Sequence, residues 1–246
     1  MKVSIITASY NNKDTIEQCI KSVAAQNYEN IEHIVIDGGS TDGTVDIIRQ
    51  YEAGISYWKS ERDEGTYHAL NKGISLATGD VIGILHADDF YPHNNVLDIA
   101  MSGILNYEVD SCYGDLQYVS KKDRNRTVRH WTSRPYEDGL FDRGWMPPHP
   151  TFFVRKEVYE RYGLFNTGYK IAADYELMMR FLCTHKISTC YIPGVFVKMR
   201  TGGRSNRGLK NLILKSREDY KICKNSGSGL YTVVMKNLSK LPQFFR

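Results

Sequence analysis

Apolar residues in the first half of the chain follow two alternating rhythms. Val3 to Ala8, Ile31 to Ile36 and Val81 to Leu85 are short runs rich in Val and Ile, the pattern of strands buried on both faces, and Ile55 to Trp58 is a shorter run of the same kind. Between them apolar positions recur at helical spacing. Ile16, Ile20 and Val23 predict a helix capped by Asp14; Val45, Ile47 and Ile48 predict one capped within Ser40-Thr41-Asp42-Gly43-Thr44, with Asp42 taken as the cap; Tyr67 to Ala77 predicts one closed by Gly79. Strands alternating with helices predict an α/β fold with a mainly parallel sheet flanked by helices.

The second half is less periodic. Tyr113 to Pro150 mixes charges, aromatics and prolines, and predicts a strand, an irregular loop and a further strand at Thr151 to Val154. Asp174 opens a helical pattern in which Leu177, Met178 and Phe181 share a face, and Gly208 to Cys223 reads as a last helix. No linker-like stretch divides the chain. The expected organisation is one domain over 1–226, with a nucleotide-binding half at 1–114 and an acceptor-side half at 115–226, followed by a tail at 227–246.

Polar clusters sit just after three of the expected strands. Ligands of open α/β sheets bind outside the carboxyl ends of the parallel strands, so Ser9-Tyr10-Asn11, Asp37-Gly38-Gly39-Ser40 and Asp88-Asp89 are expected on one crevice. Asp37 suits hydrogen bonds from a base or ribose, the glycines allowing close approach; an Asx-turn is the alternative. Adjacent acids at the end of a buried strand repel unless a cation or a hydrogen-bond network offsets them, which makes Asp88 and Asp89 candidates for a metal, with helix capping before Pro92 as the alternative.

Composition narrows the classes. Of 246 residues, 41% are hydrophobic and 24% charged, ordinary for a globular protein, and the formal charge of +4 is too small to imply nucleic acid. Five cysteines with no C-x-x-C pair suggest neither a disulfide framework nor zinc, so a reducing cytosol is the simplest compartment. The apolar run at the N-terminus is too brief for a signal peptide, and no segment reaches membrane-spanning length. A P-loop lysine and a G-x-G-x-x-G turn are both missing.

Thr7-Ala8-Ser9-Tyr10-Asn11, Ile36-Asp37-Gly38-Gly39-Ser40-Thr41-Asp42-Gly43-Thr44 and Ala87-Asp88-Asp89 together resemble the family 2 glycosyltransferases, of GT-A fold. Asp63-Glu64-Gly65, Ala69-Leu70-Asn71-Lys72-Gly73 and Gly79-Asp80 keep the family's order, and the resemblance thins in the second half. It is greatest to members that build bacterial capsule, colanic-acid-like or O-antigen polysaccharides. The resemblance implies an inverting transfer from a nucleoside-diphosphate sugar, most commonly a UDP-sugar, with a Mg or Mn cofactor. It implies that Thr7, Ser9 and Asp37 hold the nucleoside, that Asp88 lies near the ribose or metal, and that Asp89 coordinates the ion. Asp63 and Lys72 are further donor contacts or else solvated charges. The family's second-half acid falls in Ala172-Ala173-Asp174-Tyr175-Glu176, where Ala173 replaces the first of the usual pair, and Asp174 is the expected general base. Glu176, two positions on, faces away and stands four residues before Arg180, as in an i,i+4 ion pair. His149 and Arg204 match positions at the acceptor or diphosphate site, a structural histidine and a plain surface turn being the alternatives. No Q-x-x-R-W motif is present, which favours single additions over processive synthesis.

A sugar nucleotidyltransferase and a non-catalytic sugar-binding module are the rival readings. The first lacks its glycine-rich loop and arginine; the second would not retain Asp37, Asp89 and Asp174. In the tail, Leu230, Tyr231, Val233, Val234, Leu238, Leu241, Phe244 and Phe245 interleave with Lys236, Lys240 and Arg246. This predicts a basic amphipathic segment lying on the inner face of the cell membrane, where a polyprenyl-diphosphate-linked or saccharide acceptor would be presented. Packing on the domain, or in a homodimer interface, is the alternative.

Overall fold

The computed structural model describes residues 1–202, 209–225, 232, 233, 235 and 236. Four strands, β1 (Val3–Ser9), β2 (Ile31–Asp37), β3 (Tyr57–Ser60) and β4 (Val81–Ile84), pair in parallel in the order β3-β2-β1-β4. Between them run α1 (Ile16–Ala24), α2 (Thr44–Gln50) and α3 (Thr66–Leu76). Alternate residues of β1 enter cores on opposite sides of the sheet: Ile6 meets Ile34, Leu70 and Ile74, whereas Val3 and Ile5 meet Cys19, Val23 and Leu97. Burial on both faces is why the strand reads as an unbroken apolar run. Gly73 has a packing role, since a Cβ there would collide with Ile6, so its absence lets α3 lie close on β1.

Beyond β4 the sheet becomes mixed. It continues β8 (Phe153–Arg155), β6 (Ser111–Val119), β9 (Thr189–Arg200) and β5 (Asp89–Phe90), with β7 (Thr127–Trp131) hairpinned onto β6; only the β6–β9 pairing in this half is parallel. Helices α4 (Val96–Asn106), α5 (Lys156–Tyr162), α6 (Ala173–Met179) and α7 (Leu209–Asn225) complete the fold, with a π-turn at Arg180–Thr184 extending α6. The expected strand at Thr151 to Val154 forms two residues later, because Thr151 belongs to a 3-10 turn, His149–Thr151. Strand β9 escapes the periodicity analysis because Pro193-Gly194 interrupts it and its register against β6 shifts there.

Two local expectations are corrected. Asp14 is exposed and does not cap α1; Thr15 precedes the helix, and the Asn12 carbonyl accepts the Thr15 and Ile16 amides. Lys236, expected among the headgroup-facing cations of the tail, is buried, bonded to Asp219 at 2.8 Å and set over the Tyr175 ring. Thr232 likewise donates to the Asp142 carbonyl. These tail residues pack on the domain, and the other tail positions lie outside the described residues. No helix among the described residues is long and apolar enough to cross a membrane. The five cysteines are free.

At the amino ends of the parallel strands, Glu32 gathers Lys2 Nζ (2.9 Å), Ser4 Oγ (2.5 Å) and the Thr78 amide and hydroxyl (2.7 and 2.6 Å). Burial opposes its charge, but these donors outweigh it and bring the carboxyl from 4.5 down to about 2. An acid whose folded pKa is depressed contributes stability above its unfolded pKa and loses it as pH falls through the folded value. Wild type should therefore lose about 2–3 kcal/mol through this group between about pH 5 and pH 2. Urea unfolding of Glu32→Gln should show a correspondingly shallower pH dependence over that window.

Candidate active site

Register brings the expected donor motifs into one row. Ser9 at the end of β1 lies opposite Asp37 at the end of β2, and Asp37 lies opposite Ser60 at the end of β3. Asp37 is fully buried. Its carboxylate accepts from the amides of Gly39 (3.1 Å) and Ser40 (2.8 Å) and from the hydroxyls of Ser40 (2.5 Å) and Ser60 (2.7 Å). It therefore shapes the turn and does not itself meet a base, which selects the Asx-turn alternative. Thr7 is also corrected: it is buried and shares a 3.0 Å hydrogen bond with His33 Nε2, inside the core. Burial lowers the His33 pKa to about 4, so that imidazole is neutral. Asp42, expected as the cap of α2, stands one residue before the N-cap Gly43 and accepts from the Thr44 amide (3.0 Å) and the Lys13 amide (3.1 Å).

Tyr10 and Asp63 flank the turn. Tyr10, more than half exposed, has its ring 3.4 Å from where a Gly38 Cβ would stand, and Asp63 closes the other side at 3.6 Å. Asp63 Oδ1 pairs with Lys72 Nζ at 2.9 Å, and Lys72 also binds Glu61 at 2.9 Å; Asp63 Oδ2 and Ser9 Oγ are enclosed with no partner. Tyr10 was part of a quoted motif, but its exposure beside Gly38 is a tertiary fact.

The acidic pair divides. Asp88 lies in a turn closed by the Asp89 amide on the His86 carbonyl (2.9 Å), whereas Asp89 begins β5. Asp88 is partly exposed, and among the described residues its carboxylate makes no hydrogen bond or ion pair. Asp89 is fully buried, both of its oxygens are sealed without a partner, and burial followed by the Asp88 charge pushes its pKa well up. In this structure Asp88 is the acid of the pair that is open to solvent, and the Asp89 oxygens are enclosed. Arg200, at the end of β9, offsets part of the buried charge; it donates to the Asp88 carbonyl at 2.5 Å and to Gln18, and lies against Phe90 at 5.0 Å. Sequence reading missed Arg200 because strand pairing alone brings it to Asp89.

His149 and Asp174 form a histidine-carboxylate pair. His149 Nδ1 lies 3.0 Å from Asp174 Oδ2, both side chains about three-quarters buried (27% and 22% exposed). Burial disfavours the Asp174 charge, but His149, Lys215 and Lys236 outweigh it and hold the carboxyl below its ordinary range. His86, which no sequence signal marked, sits edge-on to His149 with ring centroids 6.2 Å apart; burial and the neighbouring imidazole lower its pKa. Glu176 is bound by Arg180 at 2.9 Å, the expected ion pair, though mostly buried. Arg204 lies outside the described residues.

The family description "Glycosyl transferase family 2" matches residues 4–163, which include Tyr10, Asp63, Asp88 and His149. The chain belongs to glycosyltransferase family 2. Among relatives of this glycosyltransferase is a functionally uncharacterised glycosyltransferase of Mycobacterium tuberculosis, 35% identical over 181 residues, 72% of this chain and 68% of the relative. A PGL/p-HBAD biosynthesis glycosyltransferase of Mycobacterium bovis is 29% identical over 86% of this chain and 82% of its own. Similar solved structures include residues 1–349 of Staphylococcus aureus TarS with UDP-GlcNAc (TM-score 0.68, 17% identity, 92% of this chain, 67% of that one). A longer TarS structure is spanned over 39% of its length. A Pyrobaculum calidifontis mannosyltransferase with GDP-Man and Mn2+ has a TM-score of 0.67 at 20% identity, over 92% of this chain and 64% of that one. These likenesses show the GT-A fold.

Within this glycosyltransferase Arg200 is the brace under the Asp88 segment. Arg200→Met should lower stability by about 2–3 kcal/mol, because two hydrogen-bond acceptors lose a charged donor and the Asp89 charge loses its nearest offset. Chemical denaturation measures it, and an unchanged midpoint would remove the brace.

Proposed function

We propose that this chain transfers a single hexosyl or N-acetylhexosaminyl unit, with inversion, from a nucleoside-diphosphate sugar to a hydroxyl of a saccharide or lipid-linked acceptor during surface polysaccharide assembly in bacteria. The observation that carries this reading is that Asp88, unpaired among the described residues, and the His149–Asp174 pair gather around His86. The exposed Tyr10 ring beside the Gly38 backbone suits stacking by a nucleobase; a UDP donor is the form to test first. In support, the TarS fragment binds UDP-GlcNAc, the P. calidifontis enzyme binds GDP-Man and Mn2+, and a mycobacterial glucosyl-3-phosphoglycerate synthase of similar fold binds Mn2+ and UDP.

Among the described residues no three His, Cys, Asp or Glu side chains form a cage for a metal. One free carboxylate fits an ion that arrives with the nucleotide, since Mg-type ions are commonly bound by one or two carboxylates together with substrate phosphates and water. Asp88 would hold it. A bound Mg or Mn ion supplies stabilisation of the negative charge that gathers on the departing diphosphate. Asp174 is the acid on which removal of the acceptor proton depends, and Glu176, committed to Arg180, is not.

With UDP present, Asp88→Asn should abolish Mn-dependent binding while Asp89→Asn keeps it, as titration calorimetry would show; the reverse pattern would return the metal to Asp89. In transfer assays Asp174→Asn should lose about 100-fold or more in kcat while Glu176→Gln keeps most of it. Near-normal turnover by Asp174→Asn would reverse that assignment.

A further inference from the structure

Resting on that reading, we infer that the acceptor's proton passes to His149 Nε2, and that Asp174 acts through His149 instead of meeting the acceptor itself. The Asp174 carboxylate is already engaged. Oδ2 faces His149 Nδ1 at 3.0 Å, and Oδ1 lies 3.3 Å from the Tyr67 hydroxyl, whose single proton is directed mainly at the Ile171 carbonyl at 2.7 Å. A carboxylate beside Nδ1 keeps the proton of a neutral imidazole on that nitrogen, which leaves Nε2 with a lone pair. Among the described residues Nε2 has no hydrogen-bond partner. The uncommitted basic atom of this pair is therefore a nitrogen.

The support around His149 is rigid. It opens the turn His149–Thr151, which Thr151 Oγ1 ties to the Pro148 carbonyl (2.8 Å) and to the Gly114 carbonyl (3.0 Å) on β6. Asp174 is fixed from the other side. Glu218 on α7 accepts the Lys170, Ile171 and Ala172 amides at 2.8, 2.9 and 2.9 Å, which sets the start of α6. A depressed carboxyl pKa makes Asp174 a poor proton acceptor but a good stabiliser of an imidazolium. In the step, the acceptor O–H proton goes to Nε2 as the oxygen bonds the anomeric carbon. The bond from that carbon to the diphosphate breaks with its electron pair on the departing oxygen, and the imidazolium later returns its proton to solvent. His86, edge-on to His149, and Asp88 beyond it border the same space.

The test uses the full chain, with the nucleotide sugar that wild type turns over and an accepted saccharide. His149→Gln and His149→Ala should each lower kcat about 100- to 10,000-fold while donor affinity stays within about threefold. Added imidazole should restore part of the turnover of His149→Ala and none of that of Asp174→Asn, with melting temperatures reporting that the variants are folded. Retention of more than about a tenth of kcat by His149→Gln overturns the inference. So does loss without imidazole rescue, or loss in step with donor affinity, either of which makes His149 a binding or structural group. If wild type releases no nucleoside diphosphate from any sugar donor, the glycosyl-transfer reading itself fails, and the two failures are told apart by that control.

Discussion

Everything at the crevice depends on how α3 ties the parallel half of the sheet to the second half. Asn71 exchanges two hydrogen bonds with the Phe165 backbone, donating to its carbonyl at 2.9 Å and accepting its amide at 3.0 Å. One turn earlier Tyr67 stacks on the Phe165 ring at 5.5 Å and donates to the Ile171 carbonyl. On its inner side the same helix is pressed onto β1 and β2 by Ala69, Leu70 and Ile74, with Gly73 allowing the close approach. On its outer side Lys72 holds Glu61 and Asp63 in place. One amphipathic helix thus fixes Asp63 and, through Ile171, the segment that leads into Asp174. An amide that satisfies both a buried donor and a buried acceptor is costly to replace, because any substitute leaves one of them unpaired.

The parallel half was legible because local pattern and tertiary role agree there. Continuous apolar runs become strands buried on both faces, and their ends carry polar motifs to one edge, where Ser9 and Asp37 meet by strand register. Side-chain direction was not legible. Thr7, Asp37 and Asp89 face inward, and Asp88 differs from Asp89 because it sits in the turn that the Asp89 amide closes on the His86 carbonyl. The second half was harder because its strands are short, partly exposed or broken: β5 has two residues, β8 three, and β9 is interrupted by Pro193-Gly194. Arg200 and His86 are brought to the site only by pairings between distant strands, which no window of sequence records. Glu176 is the counterexample, since an i,i+4 relation to Arg180 is local and was readable.

The site separates structural from chemical charge. Asp37, Asp42, Glu32 and Glu218 spend their oxygens on backbone amides and hydroxyls, and each fixes a turn or strand end. Among the described residues Asp88 has no such commitment, and Asp174 is committed to a histidine whose other nitrogen has no partner there. A carboxylate saturated by its own loop is poorly suited to an incoming ligand, whereas an unsaturated one at a crevice keeps an unmet electrostatic demand that a cation or a protonated partner can satisfy.

The central claim is that the nucleotide lies over the Gly38 turn and that its diphosphate is drawn to Asp88. A crystal structure of the full chain with UDP and Mn2+ tests it most directly. The account predicts the uracil between Tyr10 and Asp63 and the ion on the Asp88 carboxylate, with Asp89 still enclosed beside Arg200. An ion coordinated by Asp89, or a nucleotide bound away from the Gly38 turn, would contradict it.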